Sequence, residues 1–364
     1  MTTDAELSGR LVSLDVFRGA TVAAMILVNN PGDWGHVYWP LDHAPWHGWT
    51  PTDLVFPFFL FAVGVSLNFS SRLSAAPALR RTAVLIGLGL FMAAFPYFHL
   101  STLRWPGVLQ RIALCYLAAW AVLRFLGVRG QAVLVAAILV LYWLLMTRVP
   151  APGGGPPTLE PETNLAARID RVFLTGHMWK QTKTWDPEGL LSTLPAIATT
   201  VLGLLAGAWL RSSRTANVKA AGLLAAGLAL VAAGLAWGAS FPINKSLWTS
   251  SYVLFTGGMA AYALALLYLV ADVWGHRGWA RPFSVYGTNA IFVFVASGLL
   301  AKLLIAIKLP GSDCPLSLQA HIYRALFRSW AAPMEASLLF ALANVAFFYA
   351  ILHAMDRRGI HLKV

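Results

Sequence analysis

Residues 251–271 read SYVLFTGGMAAYALALLYLVA, an apolar run with no charged side chain. A helix needs roughly 20 such residues to cross the hydrocarbon of a bilayer. Further stretches of this kind lie near 12–30, 52–70, 82–99, 107–125, 131–147, 190–210, 218–239, 283–306 and 334–355. Together they occupy more than half of the 364 residues, and 58% of the chain is apolar against 12% charged. That is the composition of a chain whose solvent is lipid. The expected fold is all-α, a polytopic integral membrane protein of about ten transmembrane helices forming one domain over 1–364. Only the connectors 148–189 and 307–333 are long, which leaves no room for a separate soluble domain.

The net charge of +12 does not point to nucleic acid, because Lys and Arg are not gathered into a basic stripe with interleaved aromatics. Alternating connectors explain it better. One side receives Arg10, Arg72, Arg80, Arg81, Arg124, Arg129, Arg211, Arg214, Lys219, Arg277, Arg281, Arg357, Arg358 and Lys363, opposed only by Asp4, Glu6, Asp272 and Asp356. The other side balances its cations with Asp33, Asp42, Asp53, Glu160, Glu162, Asp170, Asp186, Glu188, Asp313 and Glu335. By the positive-inside rule both termini and the connectors 71–81 and 211–219 are cytoplasmic, and 31–51, 148–189 and 307–333 are external. Asp15 and Arg18 inside the first stretch, preceded by Asp4 and Glu6, make a poor cleavable signal peptide, so this stretch is expected to stay.

Some features are expected to be structural. Pro-Ala-Pro-Gly-Gly-Gly-Pro-Pro at 150–157 is a connector that neither helix nor strand tolerates. Short helices are expected within 163–183 and 316–330, the second with Leu318, Ile322, Leu326 and Trp330 on one face, both packing over the external mouth. Gly203 and Gly207, and Gly234 and Gly238, are spaced as helix-packing notches. Gly87 and Gly89 also read as packing, since no strand precedes them and no Lys follows. Cys115 lies in a span and Cys314 in an external loop, which gives neither a disulfide nor a metal site. No internal repeat of the transporter kind is evident.

The chemistry gathers in 31–51, PGDWGHVYWPLDHAPWHGWTP, which has no Lys or Arg but holds three of the nine histidines and four of the fifteen tryptophans. An aromatic belt at the membrane interface is the bland account. Asp53 changes it. This residue opens the second stretch, where a carboxylate also suits the helix dipole, and it can fold back to an imidazole of the loop. A carboxylate that holds one ring nitrogen leaves the other free as base or nucleophile. His43 and His47 are four apart, but no third ligand stands at metal-like spacing, so no metal is expected. Within the spans, Asp15, Arg18, Asn29, Asn30, Asn68, Gln110, Arg111, Asn289, Lys302, Asn344 and His353 are costly in hydrocarbon and need a partner or a cavity. Asp15 and Arg18 are placed to pair with each other. For Arg111, a salt bridge to a buried acid and a ligand-phosphate role both stand open.

These residues recur as ordered blocks: Leu14-Asp15-Val16-Phe17-Arg18-Gly19, Val28-Asn29, His43-Ala44-Pro45-Trp46-His47-Gly48, Thr52-Asp53-Leu54-Val55-Phe56-Pro57-Phe58-Phe59, Gly107-Val108-Leu109-Gln110-Arg111, Asp186-Pro187-Glu188-Gly189, Asn244-Lys245-Ser246-Leu247-Trp248-Thr249-Ser250-Ser251-Tyr252, and Pro282-Phe283 through Asn289. In them the chain resembles the heparan-α-glucosaminide N-acetyltransferase family and its bacterial relatives, within the broader transmembrane acyltransferase group. The resemblance implies transfer of acetyl from cytosolic acetyl-CoA to the amino group of a terminal glucosamine across a membrane. It makes His43 the catalytic histidine, Asp53 its partner and Asn29 a pocket residue. The loop between Asn29 and His43 is a few residues longer than in the eukaryotic enzyme, whose lumenal domain and extra first helix find no counterpart. A small amino sugar or cell-wall fragment is therefore the expected acceptor.

On this reading the acetyl-CoA arm threads the bundle from the cytoplasm. Arg18 and Arg111 are expected on its phosphates, with Gln110 and Asn289 lining the path. Asn30, Trp46 and His47 beside the catalytic histidine, and Asp186, Glu188, Asn244, Lys245 and Trp248 on the same side, are expected to hold the sugar. Direct transfer is favoured over an acetyl-imidazole on His43, because an amine is already a good nucleophile. The expected setting is a bacterial inner membrane, with the lipid bilayer as partner and a homodimer as the assembly. The alternative is an amino-sugar transporter, whose buried charges would form a substrate path. A purely structural membrane subunit leaves the histidine-rich loop unexplained.

Overall fold

The computed structural model describes residues 11–70, 74–151, 155–310 and 315–362. Asp4, Glu6, Arg10, Arg72, Asp313, Cys314 and Lys363, used above in the charge and cysteine arguments, lie outside the described residues, as does part of the 150–157 connector. The chain is an all-α polytopic membrane protein. Its helices are α1 (Val12–Asn29), α2 (Val55–Asn68), α3 (Ala75–Ala94), α4 (Val108–Phe125), α5 (Val128–Arg148), α6 (Leu165–Leu174), α7 (Thr193–Leu210), α8 (Ala216–Gly238), α9 (Ser250–Leu267), α10 (Arg281–Thr288), α11 (Ala290–Ala306), α12 (Leu318–Tyr323) and α13 (Pro333–Arg357). Among the described residues nine helical segments are long and apolar enough to cross a bilayer, or ten if the bent pair α10 and α11 is one span.

Helices α1, α2, α7 and α9 form the inner part of the bundle, and α3, α8 and α13 turn most of their surface outward. In lipid there is no hydrophobic gain from joining helices, so close backbone approach has to supply the attraction. The sequence provides it with glycine. A Cβ on Gly203 of α7 would fall 2.1 Å from the Phe61 carbonyl oxygen of α2, and Gly227 of α8 and Gly258 of α9 sit with their backbones against each other in the same manner. Gly207 and Gly234 are notches as expected, whereas Gly238 has only ordinary contact and Gly87 faces open space. Replacement of Gly203 by valine is therefore expected to force α2 and α7 apart and to abolish a monodisperse peak in size-exclusion chromatography, whereas Gly87→Val leaves it intact.

Three expectations about elements are corrected. The stretch 283–306 is not one straight span, because α10 and α11 meet at 81° at Asn289, where Gly287, Thr288 and Asn289 weaken the helix. The stretch 82–99 is displaced. Here α3 starts at Ala75 and runs through Arg80, which is exposed, and Arg81, whose guanidinium lies over the buried Tyr116 ring at 4.7 Å. Short helices do lie within 163–183, at Leu165–Leu174, and within 316–330, where α12 is followed by a π-helical turn at 324–328, but Leu326 and Trp330 are exposed and not packed over the mouth.

The up-and-down order gives the bundle two faces. The carboxylate of Asp272, beyond α9, accepts from the backbone N–H groups of Val12 and Ser13 at the start of α1. Arg211, at the end of α7, donates to the Asn68 carbonyl at the end of α2. At the other face the loop 30–50 meets residues 239–249, where Gly48, at φ +98°, donates from its N–H to the Ile243 carbonyl at 2.8 Å. This second face carries His43, and the described Arg and Lys residues assigned together above gather toward the first.

Candidate active site

Asp53 is the centre of the cluster. Pro51–Leu54 forms a 3-10 turn entered through Thr50, and the Thr50 and Asp53 side chains cap each other's backbone in a capping box. Asp53 Oδ2 thereby accepts from the N–H groups of Thr50, at 3.0 Å, and Ala44, at 3.1 Å. Its Oδ1 faces His43 Nδ1 at 2.7 Å. The carboxylate is 1% exposed while the His43 side chain is 43% exposed, so the pair is anchored at its acidic end and open at its basic end. From below, the Tyr252 hydroxyl donates to the Asp53 carbonyl. The backbone donors keep the carboxylate occupied on its far side, which orients it toward the imidazole. With Nδ1 bearing the proton on Asp53, the free lone pair is on Nε2.

Lys245 completes the cluster. Its Nζ lies 3.5 Å from Asp53 Oδ1, 3.0 Å from His43 Nδ1 and 3.2 Å from His43 Nε2. Near-equal distances to both ring nitrogens place the amine over the face of the imidazole. Burial lowers the pKa of this ammonium below the usual lysine range, Arg111 lowers it further, and Asp53 and Glu188 pull the other way. Lys245, expected to hold a sugar, joins the histidine and carboxylate, a contact hidden by 202 residues of separation from His43.

Other expected sugar contacts are occupied by the protein itself. Trp248 is 1% exposed, wedged against Phe56 and Tyr252, with Nε1 donating to Thr199 at 3.1 Å. It is a core residue and offers no stacking face. Asp186 and Glu188 are both bound by Arg104, Asp186 through Nε at 2.8 Å. Asp186 also accepts from the N–H of Trp179 and Glu188. Burial disfavours the charged Arg104 guanidinium, but the two carboxylates outweigh it and raise its pKa. Arg104 was missed in the sequence; the signal was a lone arginine before Trp105 and Pro106 facing an acidic Asp-Pro-Glu turn. Behind that turn, burial pushes the Asp170 carboxyl up to about 6, against the Leu190 and Asp186 N–H groups that bind it. Removing one partner of a buried ion pair costs about 3 to 5 kcal/mol. Arg104→Ala is thus expected to lower the melting temperature of the purified protein sharply, and pairing it with Asp186→Asn and Glu188→Gln to recover part of the loss.

His47 and Asn244 do meet, the Asn244 amide donating to His47 Nδ1 at 3.3 Å. Asn244 Oδ1 accepts from the Leu247 N–H, so this asparagine shapes the 244–249 turn. Trp46 donates to the Leu159 carbonyl and packs edge-on against Trp185. Asn30 donates to the Ile26 carbonyl and closes the end of α1, while Asn29 is exposed beside it.

The four residues expected along the acetyl-CoA path do not come together. Arg18 sits in the half of α1 away from His43, 3.9 Å from Asp15. Asn289 is fully buried at the break before α11 and binds the C-terminal segment through the Leu362 N–H and the Ile360 carbonyl. Gln110 and Arg111 are in the first turn of α4, toward the His43 face. Arg111 is buried, donates to the Gly189 carbonyl and the Ser192 hydroxyl, and lies over the Trp248 ring at 5.1 Å. It has no ion pair with a buried acid among the described residues, and Nε and Nη1 have no hydrogen-bond partner.

A carboxylate, an imidazole and an amine thus converge at the mouth of an apolar bundle. Residues 10–236 match the sequence profile of the heparan-alpha-glucosaminide N-acetyltransferase catalytic region. The chain belongs to this family. The human heparan-alpha-glucosaminide N-acetyltransferase is 31% identical over 360 residues, covering 79% of this chain and 53% of that protein. The mouse protein of the same name is 31% identical over 363 residues, covering 80% of this chain and 54% of that protein. The chain therefore spans about half the length of the curated relatives it matches. Both His43 and Asp53 fall inside the family-matched region, and Lys245 falls beyond its end.

Proposed function

We propose that this heparan-α-glucosaminide N-acetyltransferase family member moves acetyl from acetyl-CoA, supplied at the face rich in Arg and Lys, to the amino group of glucosamine or a small glucosamine-containing saccharide at the His43 face. By the positive-inside rule the first face is cytoplasmic. The observation that carries the proposal is the 2.7 Å contact between His43 Nδ1 and the buried Asp53 carboxylate, which presents Nε2 as a base toward the open side. Acetyl-CoA is a substrate here and supplies an activated thioester. His43 Nε2 takes the proton that the acceptor amine loses as it attacks, and Asp53 stabilises the resulting imidazolium. Arg18, with its side chain 31% exposed in the half of α1 away from His43, is the cation suited to the phosphates. Arg111, enclosed at the other end, is not. Its role is to hold the 189–192 turn against Trp248.

The test is to incubate the purified protein with labelled acetyl-CoA and glucosamine. Acetyl-CoA is expected to raise the melting temperature, and labelled N-acetylglucosamine to form. A folded sample that shows neither overturns the proposal, and glucosamine uptake by vesicles without acetyl-CoA favours transport instead.

A further inference from the structure

Lys245 carries a primary amine against the imidazole of the proposed base. Its Nζ is 3.2 Å from His43 Nε2 and 3.0 Å from Nδ1, over the ring face, with 22% of the side chain exposed. An acyl carbon carried on Nε2, or delivered beside that lone pair, lies close to the plane of the ring. A nucleophile approaches a carbonyl from above the carbonyl plane, and Lys245 is on that side. The amine is thus held beside the position such an acyl carbon takes, and positioning of this kind replaces a bimolecular encounter. Pairing with Asp53 at 3.5 Å explains why an amine is kept here, but not why it leans over both ring nitrogens.

We propose that Lys245 is an internal acceptor, acetylated on Nζ at this same site when acetyl-CoA is present and no amino sugar occupies the mouth. This rests on the acetyltransferase reading above. In the step the Nζ–C amide bond forms, the C–S bond of the thioester breaks and the sulfur leaves with the electron pair. One Nζ proton passes through His43 to the thiolate, and the ammonium gives its extra proton to solvent. The products are acetyl-lysine, free thiol and one proton. Partial burial, which lowers the lysine pKa, enlarges the fraction of neutral amine able to attack. Acetylation removes the cation beside Asp53 and leaves an amide over the His43 ring, so the modified chain loses activity. The bound acceptor protects the site by occupying the same space.

The experiment incubates the full chain in detergent with trideuteroacetyl-CoA, with and without glucosamine. The peptide containing Lys245 is followed by mass spectrometry, and N-acetylglucosamine is measured in the same samples. Exposed Lys183 and Lys308 report uncatalysed acetylation. Because positioned pairs have high effective molarities, label is expected on Lys245 at least about a hundredfold faster than on these controls. Glucosamine should suppress it, and it should vanish in His43→Ala. Product formation with Lys245 unlabelled, or labelled no faster than Lys183, overturns the proposal and leaves the acetyltransferase reading standing. Absence of both product and label ends both. Labelling in wild type that glucosamine does not slow overturns the internal-acceptor role, whatever the folding state of the variant.

Discussion

His43→Ala is expected to remove nearly all acetyl transfer while the chain still folds and acetyl-CoA still stabilises it thermally. The imidazole is at the open end of the cluster, 43% exposed, and its ring bonds only to Asp53 and Lys245 among the described residues. Little packing is lost with it. General base catalysis contributes about 10² to 10⁴-fold, and loss of a nucleophile costs more. The deficit should appear in kcat, since on the proposed route acetyl-CoA enters from the other face. If the variant keeps a tenth of wild-type turnover, the chemistry lies elsewhere.

Asp53→Asn is expected to be nearly as harmful for a different reason. The carboxylate accepts from Ala44, Thr50 and His43. In the amide, oxygen has to stay with the two backbone N–H groups, which turns the NH2 toward His43. Nδ1 then becomes an acceptor, the ring proton moves to Nε2, and the base is lost. A wrong-tautomer substitution of this kind costs about 10⁴-fold in a catalytic triad. Lys245 loses its counter-charge as well, so the melting temperature should fall more than in His43→Ala. Turnover and thermal stability measured together on both variants check the pair, and equal stability with unequal activity would point to a role for Asp53 other than orientation.

The bilayer-spanning segments were legible because apolar runs about 20 residues long need no tertiary information. Asn289 was not. A break inside an apolar run depends on α10 packing against α1, where a Cβ on Gly19 would collide with the Phe283 carbonyl. His43 and Asp53 were readable because they are ten residues apart in a polar island. Lys245 was expected as a sugar contact, and its approach to His43 and Asp53 was not legible, since contacts between distant loops are not encoded locally. Trp248 and Asp186 misled for one reason: an aromatic or acid in a loop looks like a ligand contact until burial and Arg104 are seen. Arg111 misled by its place in α4. A cation inside a span invites a phosphate, but this one opens the helix beside the His43 face.

The central claim is that acetyl crosses from the Arg-rich face to an amine at the His43 face. Sealed inverted membrane vesicles containing the protein test it, with glucosamine enclosed and labelled acetyl-CoA added outside. Labelled N-acetylglucosamine should accumulate in the lumen as free thiol appears outside, and both should stop in His43→Ala. Glucosamine crossing unmodified, or product forming only when both substrates are outside, would contradict the account.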